Sequence, residues 1–438
     1  MKSDFINELG TLFNQNNSIS DDIYNKLDVK RGLRNKNGTG VLVGLTKIGS
    51  VLGYSIDKDG KKVPSEGKLY YRGIPIEKLV AQFRKEKTFC FEKTMFLLLF
   101  GKVPSNFELK MFISTLKEYQ HLPDEFIEDF ILRKPSTDIM NQLQRSVLCL
   151  YTLDENPDDV SLSNLIDQSL NLIAKFPSLL VYCYQACNYK HFNKSLIIHN
   201  PVEEYSIAQN VLHMLRSDNQ FTELEAEVLD LILVIHAEHG GGNNSTFTSH
   251  VVSSTRTDTY SSISASIGSL KGPMHGGANS MVTKMVEDIK KNTNPYDEVK
   301  LKEYLKKIFN KEAFDKKGRI YGMGHAVYTI SDPRAVLLKK KAYELAKEKN
   351  ALEEFELFSN IEKLTKERIE DMTIYELIKY LTKIGNWKYL ENGKSKSFSV
   401  KLFYDVVSGT TNAQTVIQEI KEMFMEKEKA AENISENL

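Results

Sequence analysis

From Ile76 to Asn200 apolar residues recur three and four positions apart. Phe91, Thr94, Met95, Leu98 and Leu99 make one such stripe, and Leu143, Val147, Leu150 and Tyr151 another; this is the spacing of one face of an α-helix. Pro104, Pro123, Pro135, Pro157 and Pro177 fall between the stripes, and each is expected to end one helix or open the next, because proline lacks the N–H that a helix interior needs. Phe221 to Ile235 continues the helical repeat and runs directly into His236–His250. Asp258 to Leu270 is small and serine-rich with Ile263, Ile267 and Leu270 on one face, the pattern of a tightly packed interior helix. From Leu301 onward lysine and glutamate alternate, which predicts solvated amphipathic helices of a smaller domain. Residues up to about Gly32 read as an amphipathic helical lead-in, and Val416, Ile417, Ile420, Met423 and Phe424 form a last stripe before a charged tail. Strands are suggested only between Val41 and Arg72, where short β-branched or aromatic runs alternate with glycines and a charged turn. The pattern therefore predicts an all-α chain with a small β element near residue 50 and no fixed-period repeat.

Length changes this picture by requiring more than one core: 438 residues exceed the usual reach of a single hydrophobic domain, so two domains with a buried cleft between them are expected. Charge narrows the partners. Lysine plus arginine and aspartate plus glutamate number 58 each, which argues against a nucleic acid or an anionic membrane as the main target and leaves small anionic ligands open. Only eleven of the cations are arginine, Arg368 being the last; each matters, because arginine alone offers a fork for bidentate anion binding. Cys90, Cys149, Cys183 and Cys187 form neither a CxxC pair nor a disulfide framework and read as reduced core residues. No apolar run approaches the roughly 20 residues of a membrane span, and Met1 to Gly10 contains Asp4 and Glu8 but no arginine, unlike a transit or signal peptide. A soluble, cytoplasmic protein is the expectation.

Candidate chemistry concentrates in one window. Five of the nine histidines, His236, His239, His250, His275 and His325, lie within it, and it is rich in glycine; histidine titrates near neutrality and glycine lets backbone approach a ligand closely. Several readings fail on inspection. His236 and His239 are three apart and lack the HExxH glutamate pattern, so no metal site is expected. His239-Gly-Gly-Gly242 imitates the oxyanion segment of some esterases, yet the chain has no GxSxG nucleophile elbow. Gly322-Met-Gly324 lacks the third glycine of a dinucleotide fingerprint, and Gly393-Lys-Ser395 lacks the upstream glycine of a phosphate-binding loop.

Two glycine-flanked histidines remain, fifty residues apart: Lys271-Gly-Pro-Met-His275-Gly-Gly-Ala-Asn279, and Tyr321-Gly-Met-Gly-His325-Ala-Val followed by Ser331-Asp-Pro-Arg334. With the upstream His236-Ala-Glu-His239 run, which leads into serine and threonine residues, these segments resemble the signatures of the citrate synthase family, in the same order. The resemblance covers roughly residues 30 to 350, including Leu69-Tyr-Tyr-Arg72-Gly73 and Phe96-Leu-Leu-Leu-Phe100-Gly101. It implies a two-domain helical fold, with a large domain over 1–276 to which 391–438 return and a small domain over 277–390 closing on the cleft. It also implies a homodimer, with no permanently bound cofactor and a coenzyme A thioester as co-substrate.

The resemblance further implies residue roles. His275 matches the family's neutral histidine that hydrogen-bonds the acetyl-CoA thioester oxygen as it becomes an enol; a thioester α-proton is too weak an acid for a carboxylate acting alone, so this stabilisation must supply much of the barrier reduction. A helix start beside Gly276 and Gly277 would favour the uncharged imidazole, since the positive end of a helix dipole depresses a histidine pKa. His325 matches the histidine at the oxaloacetate carbonyl, while Arg334 and His239 match oxaloacetate ligands and His236 is read as structural. Coenzyme A is expected along Tyr321, Gly322, Met323 and Gly324.

Beyond Arg368 the likeness thins. The family's catalytic aspartate has its nearest counterpart in Phe403-Tyr-Asp405-Val-Val-Ser408-Gly409, which keeps the aspartate, serine and glycine; Asp405 is therefore the candidate base. The two later anion-binding arginines of the family are absent, and the chain offers Lys401, Lys421, Lys427 and Lys429 instead. Loss of two forks for a dicarboxylate is expected to weaken binding unless other contacts replace them. Three functions are consistent with these residues: condensation of acetyl-CoA with oxaloacetate to give citrate, the homologous reaction of propionyl-CoA to 2-methylcitrate, and a catalytically impaired dimeric homologue that binds or regulates.

Overall fold

The structure is a computed structural model that describes residues 46–56, 62–86, 89–272, 276, 278–323, 328, 330–370, 388–391 and 394–397. By compactness the chain divides into one unit over Val43–Glu362 and another comprising Met1–Leu42 with Lys363–Leu438.

The first unit opens with strands β1 (Gly49–Ile56), β2 (Lys62–Tyr71) and the short β3 (Ile74–Pro75), antiparallel in that order. Gly49 pairs with Tyr71 and Val51 with Leu69, and the register shifts between Leu52 and Tyr54. Strands β1 and β2 fall within the glycine-punctuated stretch Val41–Arg72 that the sequence singled out, and β3 lies just past it. Helix α1 (Ile76–Lys85) follows directly and turns Ile76, Leu79, Val80 and Phe83 inward; the charge-rich remainder faces solvent, as the 3.6-residue period requires. Helix α2 (Phe91–Phe100) is buried over most of its length and ends at Gly101, whose φ of +81° is the left-handed conformation that glycine adopts cheaply at a helix C-terminus. Arg72 closes that end, donating from Nε to the Leu98 carbonyl at 3.0 Å and from a terminal nitrogen to Leu99 at 3.3 Å. The two motif segments near the start of the chain thus hold one another, the arginine of the first satisfying carbonyls that the second leaves without intrahelical donors.

Helix α3 (Asn106–Tyr119) starts on a Ser105–Glu108 capping box. A helical turn at Asp124–Phe126 leads into a π-helical segment, Ile127–Leu132, before α4 (Ile139–Cys149). The 30-residue α5 (Leu162–His191) then runs straight through Pro177, contrary to the expectation that this proline separates two helices. A proline inside a helix forfeits one backbone bond at roughly 3 kcal/mol or more. Packing on both sides of it prevails here: Leu172, Leu179, Val181, Tyr182 and Cys183 are all buried in one core with Leu143, Val147, Tyr260 and Ile267. The other four prolines lie outside helices or at their starts.

Helix α6 (Ile207–Leu215) carries a Ser206–Gln209 capping box. Helix α7 (Glu223–His236) packs Leu231, Val234 and Ile235 against Leu69, Tyr71, Ile76, Leu79 and Leu97, so the sheet, α1, α2 and α7 share a second core. Short helices α8 (Asn244–Ser253) and α9 (Thr259–Leu270) follow; in α9 Ile267, Ser262 and Ser264 are buried but Leu270 is not, so the serines rather than Leu270 mark the close-packed side. Helix α10 (Ala278–Asn292) precedes α11 (Glu298–Phe309), α12 (Pro333–Glu348) and α13 (Leu352–Glu370), which are the amphipathic, lysine- and glutamate-rich segments foreseen from Leu301 onward. In α11, Leu301, Tyr304, Leu305 and Ile308 form the buried stripe.

Farther on, Lys388–Glu391 and Lys394–Ser397 form an antiparallel hairpin, β4–β5, so strands are not confined to the region near residue 50. The residues between them are Asn392 and Gly393, a dipeptide that favours two-residue hairpins; that signal outweighs the weak β propensity of the lysines around it. The N-terminal lead-in and the Asn412–Leu438 stripe lie outside the described residues. Among the described residues no helix is long and apolar enough to cross a membrane.

Candidate functional site

The site assembles where the end of the small sheet meets the C-terminus of α7 and the N-terminus of α12. Tyr71, fully buried on β2, donates its hydroxyl to the Val234 carbonyl at 2.8 Å and accepts from the Glu238 amide at 3.2 Å. Burial pushes its hydroxyl well above the ordinary tyrosine range, so it stays a proton donor. Opposite Tyr71 in register, Gly49 leaves room for the same residue: a Cβ on Gly49 would lie 2.4 Å from Glu238 Cγ. Glu238 then turns its carboxylate forward to accept from the Gly240 amide at 2.5 Å. Gly240 has φ +76° and a Cβ there would sit 3.0 Å from Val51, so the conformation and the closeness of the strand both require glycine. The loop ends where the Asn243 side chain caps α8, accepting from Ser245 and Thr246. His239 stands in the middle of this loop and is partly buried.

The His239 ring meets Tyr328 at 89°, centroids 5.4 Å apart. Tyr328 is buried, and the Arg334 guanidinium lies 5.8 Å from the centre of the same ring. Arg334 sits in the first turn of α12, which opens on an Asp332 cap and Pro333, the position where proline's missing N–H costs nothing. Asp332 does more than cap: its two carboxylate oxygens accept from Arg334 Nε at 3.0 Å and a terminal nitrogen at 2.7 Å. Burial works against the arginine's charge, but Asp332 outweighs it and raises Arg334 above its usual range. Beneath this turn runs Gly67 of β2, where a Cβ would lie 2.2 Å from the Ser331 carbonyl and 2.6 Å from Tyr328 Cδ1. One strand thus touches both halves of the site, Tyr71 at the histidine loop and Gly67 at the Asp-Pro-Arg turn.

His239 and Arg334, the two oxaloacetate ligands read from the sequence that lie among the described residues, are therefore brought against one tyrosine ring. His275, His325, Gly324 and Asp405 lie outside the described residues, although α10 begins at Ala278, three positions after His275. His236 is exposed and its Nδ1 lies 2.8 Å from the Ile232 carbonyl one turn back, consistent with its reading as structural. Tyr321, Gly322 and Met323 form a turn: the Tyr321 hydroxyl donates to Asp315 at 2.6 Å, Gly322 has φ +89°, and a Cβ there would lie 3.3 Å from Val282 on α10. Glycine is needed at 322 by conformation and packing alike.

Sequence reasoning passed over Tyr71, Tyr328, Asp332, Gly49 and Gly67. Tyr71 and Asp332 sit inside motifs already noted, and Tyr328 follows His325 by three residues; an aromatic embedded in a motif was the available signal. The glycines carried none, because their partners lie far along the chain. A separate cavity of about 460 Å³ between α3, α5 and α6, lined by Leu109, Ile113, Pro177 and Asn210 among others, touches none of the described candidate residues.

A histidine loop and an Asp-Pro-Arg helix start are thus clasped by the end of a small antiparallel sheet in a mostly helical body. Residues 36–379 match the family described as citrate synthase, C-terminal domain. The citrate synthase of Deinococcus radiodurans is 31% identical over 340 residues, 77% of this chain and 82% of that one. The 2-methylcitrate synthase 1 of Corynebacterium glutamicum is 33% identical over 291 residues, 65% and 70% of the respective chains. The crystal structure of citrate synthase from Pyrobaculum aerophilum superposes with a TM-score of 0.58 at 27% identity, covering 74% of each chain. This chain belongs to the citrate synthase family, and so to the acyltransferases.

Proposed function

We propose that this protein condenses acetyl-CoA with oxaloacetate and hydrolyses the resulting citryl-CoA to citrate and free coenzyme A. The observation that carries this reading is the convergence of His239 and Arg334 on Tyr328: an imidazole 5.4 Å and a guanidinium fork 5.8 Å from the centre of one ring suit a small keto-dicarboxylate. With Asp332 holding the Nε edge of Arg334, the remaining Nη1 edge takes a substrate carboxylate. His325 polarises the ketone. Asp405 accepts a methyl proton of the thioester while His275 hydrogen-bonds the oxygen on which enolate charge develops, and the enol carbon then bonds to the ketone carbon, whose oxygen takes up a proton. Water finally cleaves the thioester. Coenzyme A lies along Tyr321–Gly324, and no cofactor is permanently bound.

The 2-methylcitrate reaction of propionyl-CoA is the second reading, favoured by the Corynebacterium relative. A third, an impaired homologue that only binds, is favoured by the absence of arginine after Arg368. The protein is read as a cytoplasmic homodimer with a large domain over 1–276 and 391–438 and a small domain over 277–390, with no nucleic-acid or membrane partner. Thiol release from acetyl-CoA and from propionyl-CoA, with and without oxaloacetate, tests all three. Oxaloacetate-dependent release with acetyl-CoA preferred, abolished in His275→Ala and Asp405→Ala, is expected. Preference for propionyl-CoA selects the second reading, and oxaloacetate binding without thiol release selects the third. Full activity in Asp405→Ala removes that residue as the base.

A further inference from the structure

The last turn of α7 lacks the bond it would ordinarily make next. In a continuing α-helix the Glu238 amide would donate to the carbonyl four residues back, that of Val234. Instead the Tyr71 hydroxyl stands between them, accepting from Glu238 and donating to Val234, while Ala237 closes a tighter turn onto Val234 at 3.3 Å. A side chain inserted into the ladder ends or bends a helix at that point, and α7 stops at His236. The interruption falls one residue before His239. Both polar groups opened by it are satisfied by the one hydroxyl, so the break carries little penalty from unpaired backbone. From the other strand, Gly49 admits the Glu238 side chain, and Gly240 follows with its positive φ.

We infer that Tyr71 is a positioning residue for oxaloacetate: by inserting its hydroxyl between the Val234 carbonyl and the Glu238 amide it unwinds α7 at the residue that aims His239 toward Tyr328 and Arg334. This inference rests on the proposed reaction for its substrate. Without the hydroxyl, the carbonyl and amide either close on each other, adding helix and rotating His239 away, or stay open with the Glu238 amide unpaired. Either outcome moves the imidazole that is proposed to bind oxaloacetate. Tyr71 is thus expected to act on oxaloacetate affinity rather than on turnover or on acyl-CoA binding.

The test is steady-state thiol release by the full-length chain, comparing wild type, Tyr71→Phe, Gly49→Ala and the control Tyr260→Phe. The control removes a hydroxyl that donates to Asp154 at 2.8 Å in the helical core, so it reports ordinary loss of a core hydrogen bond. Tyr71→Phe is expected to raise the KM for oxaloacetate about tenfold, the size of one lost positioning hydrogen bond, with kcat and the acyl-CoA KM changed less than about threefold. Gly49→Ala, which presses on Glu238 from the opposite strand, shifts the oxaloacetate KM in the same direction. Tyr260→Phe lowers Tm and leaves all KM values unchanged. An oxaloacetate KM in Tyr71→Phe within about twofold of wild type, or a fall in kcat alone, overturns the inference while the reaction stands. A wild type that neither releases thiol nor binds oxaloacetate overturns the reaction itself, and the inference with it.

Discussion

The rings of His239 and Tyr328 stand at right angles, 5.4 Å between centroids, and the same tyrosine has Arg334 5.8 Å from its ring centre. Tyr328 is thus a shared wall between a histidine delivered by α7 and an arginine delivered by α12. Tilted ring pairs contribute about 0.5–1.5 kcal/mol beyond burial, and a cation over a ring contributes a similar amount. Replacing Tyr328 with leucine keeps apolar volume and removes both contacts. Oxaloacetate affinity, measured by titration calorimetry, is expected to fall about tenfold; an unchanged affinity excludes the ring as an organiser of the two ligands.

Gly67 marks where backbone approach is limiting. Since a Cβ there would lie 2.2 Å from the Ser331 carbonyl and 2.6 Å from Tyr328, Gly67→Ala must push the Asp-Pro-Arg turn off β2. Overpacking of this kind costs about 1–3 kcal/mol. Both a lower Tm and a weakened oxaloacetate response are expected, and a variant as stable as wild type would show that the turn shifts freely.

Asp230, buried on α7, accepts from the Cys90 and Phe91 amides at 2.8 and 3.0 Å and so caps α2 from another element. Burial, helped by the neighbouring Glu92 carboxylate, pushes its carboxyl up to about 7 despite those two amides. An unfolded aspartate titrates near 4, so between about 4 and 7 the folded chain keeps a proton that the unfolded chain has lost. Its contribution to stability is therefore greatest below about 4 and declines as pH rises through about 7, with a slope on the order of 1.4 kcal/mol per unit. Asp230→Asn is expected to lose that slope, and denaturant titrations of both proteins between pH 4 and 8 check it. Parallel curves would mean that Asp230 ionises freely.

Leu180 and Tyr184 lie one turn apart on α5, each 41% exposed, and residues at that spacing share a helix face. The homodimer reading predicts that a second subunit covers this face. The double replacement Leu180→Asp, Tyr184→Lys is expected to halve the mass seen by analytical ultracentrifugation while leaving helix content intact, and an undiminished mass places the contact elsewhere.

Much of the architecture was legible because it depends on local period. The stripes through Phe91–Leu99, Leu143–Tyr151 and Phe221–Ile235 became α2, α4 and α7, and the glycine-spaced run before Arg72 became the sheet. Pro177 was misread because proline's penalty is local, whereas the compensation is the buried packing of Leu172, Leu179 and Tyr182 that no short window reveals. The β4–β5 hairpin was missed for the opposite reason: a turn dipeptide, Asn392–Gly393, spoke more strongly than the charged residues around it.

The sequence by itself determined the family and supplied the candidates for the reactive groups, since motif order and residue chemistry survive without coordinates. The helix start at Asp332 and Pro333 is also a local matter, of capping and a fixed φ, although it was not read from the sequence. Only the tertiary structure decided what holds those groups. Tyr71 reaches Glu238 across 167 positions, and Gly67 is adjacent to Ser331 and Tyr328 because β2 passes under the α12 turn. Such contacts arise when separate elements bury their apolar faces together, and their chain separation leaves no periodic trace. The histidine was visible in the sequence; the hydroxyl that turns the chain toward it was visible only in the fold.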